Sequence, residues 1–165
     1  RRQLDTVWIQ RSTTVTDRSL LAIAEHCSGL LSLAIGGTDG KNFTDVGVSA
    51  VARECPSLKE FSAMNIALAD QGCLALAEHC PCLESLEMII LSSVTDVGML
   101  ALIQRCTRLG SLTVDICRLL TSAFFAWIPE YCPNLQATTP SGGWWVTKDA
   151  HERSRASLPI KFFSD

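Results

Sequence analysis

Five cysteines stand at almost constant spacing along this chain, and each is followed three residues later by a leucine. Cys27, Cys55, Cys80, Cys106 and Cys132 lie 28, 25, 26 and 26 residues apart, and Leu30, Leu58, Leu83, Leu109 and Leu135 follow them. A period of about 26 restricts the chain to an array of one small unit, each copy burying its apolar face against the next. Such an array offers a surface more readily than a cleft, which turns the question from catalysis to contact.

The unit can be read residue by residue. After each leucine comes an alternating run, "LLSLAI" from Leu30, "LKEFSA" from Leu58, "LESLEM" from Leu83 and "LGSLTV" from Leu109, with an earlier copy "LDTVWI" from Leu4. Alternation of apolar and polar positions predicts a strand with one buried face. A Thr-Asp step then recurs at Thr16-Asp17, Thr44-Asp45 and Thr95-Asp96, with Ala69-Asp70 and Thr121-Ser122 as weaker copies. Side chains of this kind accept bonds from the free amides of a helix start and read as caps. Counting from the second cap residue, apolar side chains occupy offsets 3, 6, 7 and 10, as in Leu20, Ile23, Ala24 and Cys27 or Met99, Leu102, Ile103 and Cys106. That is the stripe of an amphipathic helix. Proline follows the cysteine at Pro56, Pro81 and Pro133, where a helix must stop. Each unit is therefore a strand, a loop, a helix and a return.

Written as Leu-x-x-Leu-x-Leu, then Val/Leu-Thr-Asp, then "LAEHCPCLESL", the unit resembles the cysteine-containing class of leucine-rich repeat, as in F-box leucine-rich-repeat proteins. The resemblance covers roughly residues 4 to 138. It implies an α/β solenoid of about five repeats, curved, with parallel strands on the concave face and helices on the convex face. It also implies a second cysteine after the strand. Cys117 alone fills that slot, where Ser12, Thr38, Ile66 and Leu91 stand in the other copies, and no F-box precedes the first strand.

Composition narrows the function. The chain has 165 residues, 47 % of them hydrophobic, enough for one well-packed domain. A net charge of −3 and the lack of a Lys/Arg stripe give no footing on nucleic acid. Its apolar stretches fall short of the ~20 residues that cross a bilayer, so membrane insertion is not expected. Repeat register explains the cysteines as core packing. A zinc site at Cys73, His79, Cys80 and Cys82 is the sharper alternative, but no Cys-x-x-Cys pairs or finger spacing support it. Reduced cysteines place the chain inside the cell, in cytoplasm, nucleus or an organelle interior. The Gly-rich loop from Gly36 to Asn42 lacks P-loop spacing and calcium-loop alternation and reads as a surface loop. His26 and His79 each precede a ladder cysteine at a helix end, where a cation meets the negative end of the dipole. No catalytic residue, metal, cofactor or small-molecule substrate is expected.

Strand geometry locates the contact surface. With the leucines inward, the intervening residues form a continuous concave face. Its expected partner-binding residues are Trp8, Gln10, Glu60, Met64, Glu87, Ile89 and Asp115: an acidic line with Trp8 at one edge and Met64 and Ile89 in the middle. Trp8 reads equally as an anchor for a partner or as packing for an upstream element. Pro129 falls on an inward helix position, so the fifth helix is expected to end near Ile128. Residues 1–140 form the solenoid, and 141–165 a C-terminal tail with Trp144 and Trp145, either folded back as a cap or docked on a partner. The partners expected are other proteins. Three roles compete: recognition part of an F-box ubiquitin-ligase adaptor, architectural subunit of a large assembly, and, least supported, an enzyme.

Overall fold

A computed structural model of the chain describes residues 4–135 and the backbone of 137–139. Strand and helix alternate as β1 (Thr6–Ile9), α1 (Asp17–His26), β2 (Ser32–Gly36), α2 (Asp45–Glu54), β3 (Glu60–Met64), α3 (Asp70–His79), β4 (Ser85–Ile89), α4 (Asp96–Arg105), β5 (Ser111–Asp115), α5 (Ser122–Tyr131) and β6 (Ala137–Thr139). The strands form one parallel sheet in chain order, each paired with the next in repeat register, as in Phe61 with Leu86 and Leu86 with Leu112. A parallel pair needs a crossover, and the helix of each unit supplies it. The helices in turn pack on one another in sequence order.

The strand alternation sorts the side chains. Leu33, Ile35, Phe61, Ala63, Leu86, Met88, Leu112 and Val114 are buried toward the helices, where they meet Leu20, Val48, Cys73, Leu76, Met99 and Leu102. A second row in the strand-to-helix loops, Phe43, Leu68, Val94 and Leu120, closes the core on that side. Each fully buried Leu, Ile or Phe contributes about 1.5–3 kcal/mol by leaving water. The core is thinner at the β1 end, where Val7, Ile9, Val15 and Ile23 stay half-buried.

What fixes one repeat on the next is the aspartate of the Thr-Asp step. Asp17 accepts from the Thr44 amide at 2.8 Å and from the Thr44 hydroxyl at 2.5 Å. Asp70 does the same for Thr95, at 2.8 and 2.6 Å, and also accepts from the Gly98 amide at 3.2 Å. Asp96 binds the Thr121 amide and hydroxyl, and Asp45 the Ala69 amide at 2.8 Å. Each carboxylate thus sits at the start of its own helix and holds the cap of the following one. The threonine hydroxyl serves both ways, donating to that carboxylate and accepting from the amide of Val46, Val97 or Ala123. Thr16 and Ala69 make no side-chain cap bond, so the capping expected from sequence holds at Thr44, Thr95 and Thr121.

The close approach needs glycine. A Cβ on Gly47 would stand 2.5 Å from Asp17 Oδ1, and one on Gly98 2.6 Å from Asp70 Oδ1. In the fifth unit Phe124 holds this position, and α5 packs less closely on α4 than the earlier helices do on their neighbours.

After the fifth unit the run "LQATTP" carries β6. The fifth helix, however, runs three residues past Ile128, to Tyr131, with Pro129 inside it. Proline removes one bond in the last turn, to the Phe125 carbonyl. The Cys132 amide still reaches the Ile128 carbonyl at 2.9 Å, and Ile128, Cys132 and Leu135 are buried on either side. Packing of the last turn outweighs the missing donor.

Replacing Asp70 by alanine strands three donors, and replacing Asp45 strands one. Asp70→Ala is expected to cost about 3 kcal/mol and Asp45→Ala roughly 1 kcal/mol in urea unfolding followed by circular dichroism. Equal costs would locate the repeat-to-repeat hold elsewhere.

Candidate functional interface

The outward positions of the strands form the open face of the sheet. Trp8 is 73 % exposed, standing beside Ala34, which is too small to cover an indole. Gln10 and Glu60 are exposed, and Met64, Glu87, Ile89 and Asp115 half-buried. Two of the acids are held in place by serines of the preceding strand. Ser32 Oγ donates to Glu60 Oε2 at 2.8 Å, and Ser62 Oγ to Glu87 Oε2 at 2.5 Å. Each donor and acceptor are partners in the sheet register, so the repeat itself aims these carboxylates. No lysine or arginine occupies an outward position on the described strands.

Two hollows lie along this face, each of about 290 Å³. One is polar, floored by Ser32, Ser62, Ser85 and Thr113 with Glu60 and Glu87. The other lies toward the C-terminal ends of the strands and is lined by Gln10, Arg11, Gly36, Gly37, Met64, Asn65 and Ile90. A shallower hollow of about 610 Å³ lies at Glu84, Arg108, Gly110, Ser111 and Asn134. There Glu84 Oε1 stands 3.5 Å from both Lys59 Nζ and Arg108 Nη2. These ion pairs are exposed and hold little energy.

Just past the strands, the same repeat position adopts left-handed backbone in four copies: Arg11, Asn65, Ile90 and Ile116, with φ of 51°, 49°, 54° and 52°. Asparagine tolerates this region, whereas an isoleucine there is strained by about 1–2 kcal/mol. Ile90 and Ile116 are nevertheless 42 % and 45 % exposed, with Leu119 nearby at 49 %. The sequence-level list of surface residues missed these three. Alternation hid the two isoleucines, since the residue after an outward strand position reads as inward, as in Ile89-Ile90 and Asp115-Ile116.

The ladder cysteines point the other way, into the core. Cys55 Sγ donates to the Cys27 carbonyl at 3.2 Å, Cys80 Sγ to the Ala52 carbonyl at 3.5 Å, and Cys106 Sγ to the Cys80 carbonyl at 3.6 Å. Burial pushes the thiols of Cys80 and Cys106 up to about 12, and that of Cys132 to about 11, from 9.0. Cys82 is half-buried. His26 and His79 each lie 3.9 Å from a neighbouring glutamate, Glu25 and Glu78, at the outer helix ends. Among the described residues no three metal-ligating side chains converge, and no helix is long and apolar enough to cross a membrane. The loop at Gly36–Asn42 is tied at the surface: Asp39 accepts from the Lys41 amide at 3.1 Å, and Asn42 donates to the Ser12 carbonyl at 2.5 Å.

No protein-family model matches the sequence. Among solved structures, the chain is similar to the tropomodulin C-terminal domain of Caenorhabditis elegans. The TM-score is 0.62 at 16 % identity, over 86 % of this chain and 90 % of that one. The fold is a leucine-rich-repeat solenoid. A second likeness, to the yeast Rad7 and Elc1 complex, has a TM-score of 0.45 at 15 % identity, over 95 % of this chain and 54 % of that one. The chain thus spans about half the length of that second structure. In the solenoid frame the open sheet face is the concave one, as the repeat pattern implies. Trp144, Trp145 and the whole 141–165 segment lie outside the described residues.

The buried thiols give a direct check. At pH 8, iodoacetamide followed by mass spectrometry should modify Cys82 first and the ladder cysteines only after denaturation. Cys80, Cys106 and Cys132 ionise near 9.0 in the unfolded chain, whereas the folded chain holds them protonated up to about 11–12. Stability should therefore be insensitive to these groups below about pH 8 and fall as pH rises from about 9 to 12.

Proposed function

We propose that this chain is a non-catalytic protein–protein interaction module whose concave face receives a protein partner. The observation that carries this reading is the face itself: serine-held Glu60 and Glu87 in one hollow, an apolar hollow at Met64 beside it, and Trp8 uncovered at the margin. Aromatic and methionine side chains anchor interfaces, and a row of acids without bases selects a partner with lysine or arginine opposite.

Two settings for the module are supported by different features. The resemblance of the repeats to those of F-box leucine-rich-repeat proteins favours the recognition part of a ubiquitin-ligase adaptor. The half-covered apolar end at Val7, Ile9 and Val15, with Leu4 60 % exposed, favours an architectural subunit built against neighbours in a large assembly. Exposed apolar area of this kind is covered in permanent complexes.

Carbodiimide cross-linking of the complex isolated without denaturant separates these outcomes. It should join Glu60, Glu87 or Asp115 to lysines of the partner. The pair Glu60→Lys and Glu87→Lys should weaken recovery of that partner roughly tenfold, equivalent to about 1.4 kcal/mol, while leaving thermal stability nearly unchanged. Co-recovery of a cullin-type ligase core supports the adaptor, and stoichiometric recovery in another assembly supports the subunit. Cross-links confined to the helical face would contradict the concave-face reading.

A further inference from the structure

The open sheet face changes character along the strand direction. Glu60 and Glu87 stand at the first position of β3 and the third of β4, in the polar hollow with Ser62 and Ser85. From the fifth position onward the face turns apolar, where Gly36, Met64 and Ile90 line the second hollow and Gln10, Arg11 and Asn65 stand around it. The two hollows are strung along the strands. Glu60 and Met64 are the first and last residues of β3, about 13 Å apart at strand rise.

Two residues of the apolar hollow bring the fold little. Gly36 ends β2, where a glycine weakens the strand, and a side chain there would be tolerated. A Cβ on it would meet Gln10 Cγ at 3.6 Å and the Met64 carbonyl oxygen at 3.7 Å, both ordinary contact distances. Gly37 is different, since a Cβ there would stand 2.5 Å from the Asn65 carbonyl oxygen. Packing thus demands glycine at 37 and not at 36. What Gly36 does is leave the floor of the hollow without a side chain, and such a glycine marks a place where something approaches closely. Ile90 has the opposite oddity. It is a β-branched, exposed side chain in left-handed backbone, at the repeat position that Asn65 fills one copy earlier. Strain that the core does not use, beside an open hollow, points to contact from outside.

We propose that the concave face grips one segment of its protein partner at two points: a lysine or arginine on Glu60 and Glu87, and an apolar side chain on Gly36 between Met64 and Ile90. This inference rests on the concave-face reading and adds the partner's spacing and direction. The basic residue lies toward the starts of the strands and the apolar one toward their ends. At about 13 Å they fall four residues apart on an extended segment and about nine apart on a helix. The serines hold both glutamates in place, and no lysine or arginine occupies an outward position on the described strands, so a cation meets acceptors that need no reordering. The apolar side chain gives Ile90 the cover it lacks and itself leaves water.

Photo-cross-linking in the complex isolated without denaturant tests this, with a benzophenone side chain placed at Ser85 in one hollow or at Gln10 beside the other. Both should label one partner segment, Ser85 next to a lysine or arginine and Gln10 next to an apolar residue at the spacing above. Gly36→Leu should fill the hollow and lower partner recovery about tenfold, with Gly36→Ala close to the unmodified chain. If Gly36→Leu does not fold, Ile90→Asn serves. It puts at 90 the residue type that stands at 65, and should keep or raise the melting temperature while lowering recovery about fivefold. Labelling from Ser85 alone, labelling of two separate segments, or full recovery with these variants would overturn the two-point grip and leave the concave face as the interface. Labelling from neither position would overturn both.

Discussion

The architecture depends on a carboxylate that serves two repeats at once. Asp17, Asp45, Asp70 and Asp96 each begin a helix, where negative charge is favoured by the helix dipole. Each also accepts from the cap residue 24 to 27 positions later. A charged acceptor shared in this way sets the axial rotation of one repeat against the next, because the backbone amide and, at Thr44, Thr95 and Thr121, the hydroxyl as well must point at one group. Glycine at 47, 72 and 98 lets that carboxylate come close. The apolar core gives the array its cohesion, and the ladder gives it a single register.

Register then decides what the outer face is. A slip of one residue between strands would carry the leucine rows to the surface and the acids to the core. With the register fixed, Ser32 falls opposite Glu60 and Ser62 opposite Glu87, and each glutamate is oriented by a neighbour rather than left to wander. The thiol ladder runs through the interior of the same stack, from Cys55 to the Cys27 carbonyl and onward. Burial removes those cysteines from acid–base and nucleophilic chemistry at neutral pH.

The sequence made most of this visible. Strand, loop and helix follow from the 26-residue period, and the outward positions from alternation, since both depend on local spacing. The role of Asp70 was half visible: its place at a helix start is local, but its acceptance from Thr95 depends on how two repeats stack, which no single unit records. The Pro129 helix is a similar case, because local chemistry argues for an end at Ile128 while the buried flanks of Ile128 and Cys132 carry it to Tyr131. Ile90 and Ile116 escaped because left-handed backbone at an isoleucine is a cost that propensity argues against, so the position had to be seen.

Native-state hydrogen exchange at the amides of Thr44, Ala69, Thr95 and Thr121 tests the central claim most directly, because each of these amides donates to the aspartate of the preceding repeat. If the ladder joins the repeats into one cooperative array, these amides exchange only through global opening, with a common free energy and a common dependence on denaturant. Exchange through separate low-energy openings, repeat by repeat, would show that the units stand independently and that the carboxylates do not hold the stack together.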